Sequence, residues 1–254
     1  MAYRPEQATP DRAHHVKGFP PSYFERLAAA LELVRPRCRA LDLGTGQGEM
    51  ARGLARHGAA VTAIDSDPAL LAAARAANGA PDGAIAYLEA RAEATGLEAT
   101  SLDLVAAGKS WHAFDAAAAA AEAHRLLRPR CHLLIADYAW QSLPRNVVEA
   151  TENLIAEIDP DWPAGGTNGL YAIWHPPVRA AGFIEHQTFL HDVDVAFTHA
   201  EWRRYARRRA AERLPPVALE RLDAALAEEL GKRFAGDHLI APHRAFSYIA
   251  RKKN

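Results

Sequence analysis

The sequence predicts an α/β fold: a doubly wound, mostly parallel sheet of seven strands with helices on both faces and a helical cap or lid. Three observations predict it. Short apolar runs alternate with Ala-rich helical segments through the first half of the chain, a strand, glycine loop and helix follow one another near the start, and a charged helical stretch separates the last two strands. The 254 residues are 49% hydrophobic, enough for one sizeable core. A single domain over 1–254 is expected, with an N-terminal arm and helix over 1–35, a ligand-binding core over 36–138, and substrate-side insertions, lid and last strands over 139–254.

In chain order, PPSYFERLAAALELV reads as a helix: Pro21 and Ser22 supply its entry, Tyr23, Leu27, Ala30, Leu31 and Val34 fall at helical spacing, and Pro36 closes it. Five runs of β-branched or bulky residues read as strands: RALDL (39–43), AAVTAID (59–65), AIAYLEA (84–90), LDLVAA (102–107) and CHLLIADY (131–138). GEMARGLARHG, PALLAAARAAN and DAAAAAAEAHRLLRP lie between them and read as helices, each ending in Gly, Asn or Pro. Residues 141–175 contain PDWPAGGTNG, which signals an irregular excursion. FIEHQTFL (183–190) and RAFSYIA (244–250) read as two further strands. The charged stretch between them, 197–236, is too long for a simple loop and reads as a helical cap.

Charge and composition exclude several classes. The 30 basic and 31 acidic side chains leave a formal charge of -1, with no footprint for DNA, RNA or anionic lipid, so a small-molecule partner is expected, with no nucleic acid and no membrane. Cys38 and Cys131 form no CxxC pair, the polar start MAYRPEQATPDRAHH lacks the order of a signal peptide, and no run of about 18 apolar residues exists; a cytoplasmic protein is expected. Twelve histidines include no HExxH, and His14-His15, His186/His191 and His238/His243 lack a ligand spacing, so no metal is expected.

The stretch RALDLGTGQGEMARGLARHG carries most of the functional information. Gly44, Gly46 and Gly48 follow the strand at alternate positions, where backbone can approach a ligand and helix N–H groups can face it. Gly46-Gln47-Gly48-Glu49-Met50-Ala51 also satisfies GxGxxA, so a dinucleotide competes as ligand. Asp42, at the strand's end, would oppose a pyrophosphate but suit an ammonium group, which favours a cationic ligand. Asp65 lies 17 residues past Gly48 at the next strand's tip, where an acid accepts hydrogen bonds from ribose hydroxyls. A Gly-rich turn by itself is also ordinary as a tight connection, and Asp-Ser-Asp-Pro at 65–68 is a good helix cap.

Taken together, LDLGTGQG and AIDSDPALLAAAR resemble the first two motifs of the class I S-adenosylmethionine-dependent methyltransferases. The small-molecule branch that includes trans-aconitate methyltransferases is the most similar. ARAEATGLEATSLDLVAAGKSWHAFD resembles the third and fourth regions, and HRLLRPRCHLLIADY the helix and strand that follow. FTHAEWRRYARRR and PHRAFSYIARKK are weaker echoes. Arg91 in place of Asp or Ser, Ala113 in place of Trp after His112, and Arg130-Cys131 in place of Gly-Gly depart from the pattern. The resemblance implies a Rossmann-like fold and S-adenosyl-L-methionine as cofactor. It implies that Asp42, Gly44, Thr45, Gly46, Gln47 and Gly48 form the loop around it, and that Asp65, next to Ser66, holds the ribose. Arg91, Ala92 and Glu93 would flank the adenine, and Ala107, Gly108 and Lys109 would line the methionine side.

Methyl transfer from a sulfonium needs alignment more than a fixed catalytic residue, and a base only where the acceptor must lose a proton. His112, just beyond the fourth strand, is the candidate base, against the plain alternative of a surface histidine. Tyr23, Trp111 and Trp140 are read as pocket wall for the acceptor. Arg203 and Arg207, like Arg204 and Arg208, are four apart on a helix, and the first pair is read as a clamp for an anionic acceptor. The alternative is a solvated face paired with Glu201 and Glu212. Three competing functions stand beside this reading. An NAD(P)-binding oxidoreductase is disfavoured by Asp42 and the absence of Tyr-x-x-x-Lys; an RNA methyltransferase has only WRRYARRRAAER (202–213) in its favour; the third is a non-catalytic cofactor-binding scaffold.

Overall fold

The computed structural model describes residues 11–12, 18–31, 38–77, 83–163, 170–211 and 213–254. Its strands are β1 (Asp11–Arg12), β2 (Arg39–Leu43), β3 (Ala60–Asp65), β4 (Ile85–Glu89), β5 (Leu102–Gly108), β6 (Leu127–Trp140), β7 (Phe183–Thr198) and β8 (His238–Lys252). They form one sheet in the order β1-β7-β8-β6-β5-β2-β3-β4. The expected seven strands are all present, and the eighth is the two-residue β1, which pairs in parallel with β7 inside the stretch read as a polar arm. β2 pairs in parallel with β3 and β5, β3 with β4, and β5 with β6. The order reverses at β2: the chain runs outward through β3 and β4, then returns to β5 on the other side. Open α/β sheets bind ligands at such a switch point, off the carboxyl ends of the strands.

By contacts the chain divides into two compact units. One comprises Phe19–Tyr138, Tyr171–His191 and Ala245–Asn254. Its central strands are mostly apolar because parallel strands are covered on both faces, with Asp42 and Asp103 the interruptions in β2 and β5; Leu41, Leu43, Val105, Ala106 and Ala107 are fully buried. Helices α1 (Pro21–Ala30), α2 (Glu49–Arg56), α3 (Pro68–Ala76) and α4 (Ala116–Leu126) alternate with the strands. Asp67 and Asp115 cap the last two, accepting from Ala69 N and from Ala117 N and Ala118 N. In α4, Ala119, Ala120 and Ala123 have no exposed surface, and the helix packs on β5 and on α6 (His175–Ala180). The continuation of the first helix through Val34 lies outside the described residues.

The other unit comprises the described residues of Met1–Gly18 together with Ala139–Leu170 and Asp192–Arg244. In it α5 (Val147–Ile158) and α7 (His199–Ala210) pack against α8 (Pro216–Arg233) around Trp140, Phe197, Trp202, Leu222, Leu226 and Leu230. A capping box starts α7: Glu201 N donates to Thr198 Oγ1, and Thr198 N donates to Glu201 Oε2 at 2.8 Å. Trp202 Nε1 donates to Thr151 Oγ1 at 2.8 Å.

Several boundaries differ from expectation for local reasons. α5 stands inside the segment read as irregular, because the turn residues of PDWPAGGTNG outweighed the preceding VVEATENLIAEI, whose cap is Asn146. β7 runs eight residues further than FIEHQTFL, since DVDVAFT keeps the two-residue alternation of a half-buried strand. The charged stretch 197–236 is helical as expected and holds two helices, the first ending at Ala210 and the second entered through Pro215-Pro216.

Candidate functional site

The site lies at the carboxyl end of β2. There the chain turns through Gly44, Gly46 and Gly48, with φ of 61°, 53° and 80°, before α2 begins at Glu49. The turn is fixed from three sides. Thr45 N donates to Ile64 O of β3 at 2.8 Å, Gly48 N donates to Thr45 O at 2.8 Å, and Ser110 Oγ donates to Leu43 O at 2.7 Å. Two glycines have separate reasons. A side-chain carbon at Gly44 would lie 2.8 Å from both Phe114 Cζ and Ser110 Cβ, whereas one at Gly46 would meet nothing within 4 Å. Gly44 is therefore a packing requirement, and the tip at Gly46 is open.

Two acids flank this turn. Asp65 Oδ2 accepts from Gly46 N at 2.8 Å and Oδ1 from Asp67 N at 3.0 Å, so the tip of β3 holds the tip of the loop. Asp42 is 1% exposed. Its Oδ2 accepts from Thr45 Oγ1 at 2.6 Å and from Ala51 N at 3.1 Å, while its Oδ1 is buried with no hydrogen-bond partner. Burial pushes the Asp42 carboxyl up to about 7; the Thr45 hydroxyl and the Ala51 N–H oppose the rise, and the charges of Asp65 and Glu49 add to it.

Across the switch point, β5 ends at Gly108 and Lys109 adopts a left-handed φ of 62°. Its N–H donates to Ala136 O at 2.8 Å, and its Nζ pairs with Glu49 Oε2 at 2.5 Å. Glu49 and Ser110 were not singled out in the sequence; both depend on the backbone turn at Lys109, which has no sequence signal. Gln47 and Ser66 are exposed, and Ala107 is buried.

The other predicted positions divide. Arg91 is exposed and pairs with Glu93 at 3.4 Å, Glu93 Oε1 accepts from Asp115 N at 3.1 Å, and Ala92 is buried in the core. Trp111 is 3% exposed against Phe114 and is core rather than pocket wall, although its Nε1 has no partner. His112 follows it in a single 3-10 turn and is exposed. Tyr23 does not line a pocket: it is fully buried, stacks on Phe19 at 4.7 Å and shares a 2.9 Å hydrogen bond with Ser247 Oγ, and burial raises its hydroxyl pKa. Trp140 is likewise core, its Nε1 donating to the buried Glu152 at 3.0 Å.

The Arg203/Arg207 clamp is also corrected. Arg203 makes a two-pronged pair with Asp223 of α8, and Arg207 approaches the same carboxylate at 3.8 Å, so both charges face an acid of the protein. Glu201 serves the helix cap, and Glu212 lies outside the described residues. Among the described residues no group of three or more His, Cys, Asp or Glu is placed to hold a metal ion, and no helix is long and apolar enough to cross a membrane.

Comparison with known proteins bears on this architecture. Residues 41–135 match the family described as Methyltransferase domain. Over 91 residues the chain is 40% identical to an uncharacterized methyltransferase of Mycobacterium tuberculosis strain H37Rv, and equally to one of Mycobacterium bovis. The match spans 36% of this chain and 36% of the length of those relatives. A proposed Type II methyltransferase from Anaeromyxobacter dehalogenans superimposes with a TM-score of 0.64 at 21% identity, over 93% of this chain and 98% of that one. Phosphoethanolamine N-methyltransferase 2 of Haemonchus contortus, in complex with phosphomonomethylethanolamine and S-adenosylhomocysteine, gives 0.53 at 18% identity, over 93% and 53%. The [4+2]-cyclase SpnF gives 0.55 at 20% identity, over 92% and 80%. The fold is the Rossmann-like fold of methyltransferases. The cyclase shows that this fold hosts other chemistry, so the reaction must be argued from the site.

The loop geometry carries a stability prediction. Gly44→Ala combines a left-handed φ with a collision against Phe114 and Ser110, and is expected to cost about 1–3 kcal/mol in urea unfolding. A loss under about 0.5 kcal/mol would show that the turn relaxes and that its geometry is not fixed by packing.

Proposed function

We propose that this chain is an S-adenosyl-L-methionine-dependent methyltransferase that acts on a small-molecule acceptor. The observation that carries the reading is the Asp42 carboxylate: buried, with one oxygen unpartnered, at the base of a glycine turn whose tip is open and held by Asp65. A buried acceptor without a donor calls for one, and an ammonium group supplies it. A pyrophosphate would set like charges against each other there, which disfavours a dinucleotide. The methyltransferase domain match and the S-adenosylhomocysteine complex of the Haemonchus enzyme support the same ligand.

When bound, the cofactor supplies a methyl group activated on a sulfonium. In this reading the Gly44–Gly48 backbone gives close approach with Thr45 and Gln47 beside it, Asp42 takes the ammonium group, and Asp65, next to Ser66, takes the ribose hydroxyls. Arg91, Ala92 and Glu93 flank the adenine, and Ala107, Gly108 and Lys109 line the methionine side. In this reading His112, exposed directly after the buried Trp111, takes a proton from an acceptor that must lose one. The likeness to the trans-aconitate branch supports a carboxylate or other small metabolite as acceptor, and the balanced charge argues against RNA.

Calorimetry is expected to detect S-adenosylhomocysteine binding and no NAD binding, and Asp65→Ala to weaken the former by about 2–3 kcal/mol. Unchanged affinity in that variant removes Asp65 from the site.

The second test is pH. With its carboxyl near 7, Asp42 gains its charge as pH rises through neutrality, so S-adenosylhomocysteine affinity should climb between pH 6 and 8 and then level off. The fold favours the neutral form of this raised group, so its contribution to stability runs the other way and is lost as pH rises through about 7. Asp42→Asn should leave binding weak and flat across that range; an unaltered profile in this variant assigns the titration elsewhere.

For an acceptor that is deprotonated on transfer, His112→Ala should lower kcat by roughly 100-fold with cofactor affinity intact. A loss below about threefold returns His112 to the surface.

A further inference from the structure

Three acids meet around the glycine turn, all within the compact unit that contains it. Asp42 stands at its base on β2, Asp65 at the tip of β3, and Glu49 opens α2. Asp65 has both oxygens engaged, by Gly46 N and Asp67 N. Glu49 lies in the same helical turn as Ala51, whose N–H is one of the two donors to Asp42. Two cations accompany them. Arg52 of α2 turns back to donate to Gln47 O at 2.6 Å, and Lys109, just past β5, meets Glu49 Oε2 at 2.5 Å.

The position of Lys109 is built into the backbone. Its φ of 62° is a left-handed conformation, disfavoured for a residue with a side chain, and its N–H holds it there by donating to Ala136 O at 2.8 Å. The Phe19 ring centre lies 5.9 Å from Nζ. A side-chain carbon at the preceding Gly108 would lie 2.9 Å from Met50 Cε, so the end of β5 and the first turn of α2 close directly on each other. The Lys109–Glu49 pair therefore joins β5 to α2 beside the carboxyl end of β2.

Charge gives this tie a consequence. The Asp65 and Glu49 charges both work against ionisation of Asp42. A lysine on Glu49 offsets part of that repulsion, while Asp42 Oδ1 keeps no partner of its own. We infer that Lys109 and Glu49 are positioning residues of the cofactor site: their ion pair fixes the first turn of α2 and offsets the Glu49 charge, so that Asp42 meets an ammonium group as a carboxylate. This rests on the methyltransferase reading proposed above and goes beyond it by assigning what holds Asp42 in its charged form. Both side chains of the pair are partly exposed, so water screens the effect and keeps it modest.

The test reads Asp42 directly in the ligand-free full chain, by carbon-13 NMR of labelled aspartate carboxyls assigned with D42N. K109N removes the charge and suits a left-handed residue, so the turn is kept. It should raise the Asp42 midpoint by about 0.5 pH unit, E49Q should lower it by a similar amount, and the double variant should fall between. K109R keeps the charge and should keep the native midpoint. In calorimetry K109N should bind S-adenosylhomocysteine about threefold more weakly at pH 6, with the gap closing towards pH 8. A pair that only braces the fold would lower Tm in K109N and E49Q alike and leave the midpoint in place. Equal midpoints in all variants, both single variants moving the same way, or an affinity loss in K109N that is the same at every pH would overturn the inference. Should K109N fail to fold, E49Q and K109R decide: an unmoved midpoint in E49Q, or a raised one in K109R, rejects it. The NMR readout needs no cofactor, so it is separate from failure of the methyltransferase reading, which would show as no S-adenosylhomocysteine binding at all.

Discussion

A carboxylate confined at the end of the central strand organises the site. Asp42 sits on β2 between β3 and β5, where the chain reverses direction across the sheet, and one of its oxygens gathers the Thr45 hydroxyl and the Ala51 N–H. Those two donors lie on opposite sides of the glycine turn, in the loop and in the first turn of α2, so a single buried acceptor joins strand, loop and helix. Such an arrangement is costly to build around an acid with nothing on its other oxygen. The fold tolerates it because β2 is paired on both sides, with β3 and β5, and the apolar residues on these strands supply the burial that offsets it.

The order of elements was legible because it follows from local periodicity. Apolar runs at 39–43, 59–65 and 102–107 predicted β2, β3 and β5 to within a residue or so, and the glycine turn between β2 and α2 was legible from Gly44, Gly46 and Gly48. What escaped was decided by contacts between distant residues. Tyr23 and Trp140 carry polar tips that suit a pocket wall, yet partners far along the chain or one helix away, Ser247 and Glu152, satisfy those tips inside a core. Lys109 adopts a left-handed turn for which its side chain gives no hint, and from there it reaches Glu49.

The arginine-rich helix shows the same limit from another side. A run of like charges reads as a uniform face, and spacing alone selected the pair at 203 and 207. Packing distinguishes them: Asp223 on α8 meets those two, whereas Arg209, outside any i,i+4 pair that drew notice, is turned onto Trp140. Sequence supplied the residue type and the helix; only the neighbouring elements show which cation faces an acid and which an aromatic ring.

The alanine run that opens α4 looks like the least informative stretch of the chain, yet its inward positions leave little room for change. Ala119, Ala120 and Ala123 have no exposed surface, and the helix sits close to β5 and α6 because nothing larger than a methyl group intervenes. A larger apolar residue there would overpack the core by about 1–3 kcal/mol, and glycine would forfeit helix propensity of about 1 kcal/mol. Ala117 and Ala121, exposed on the outer side of the same helix, carry no such restriction. Sequence drift in this segment is therefore confined to one side of a helix whose composition looks uniform, and its low complexity records close packing rather than the absence of constraint.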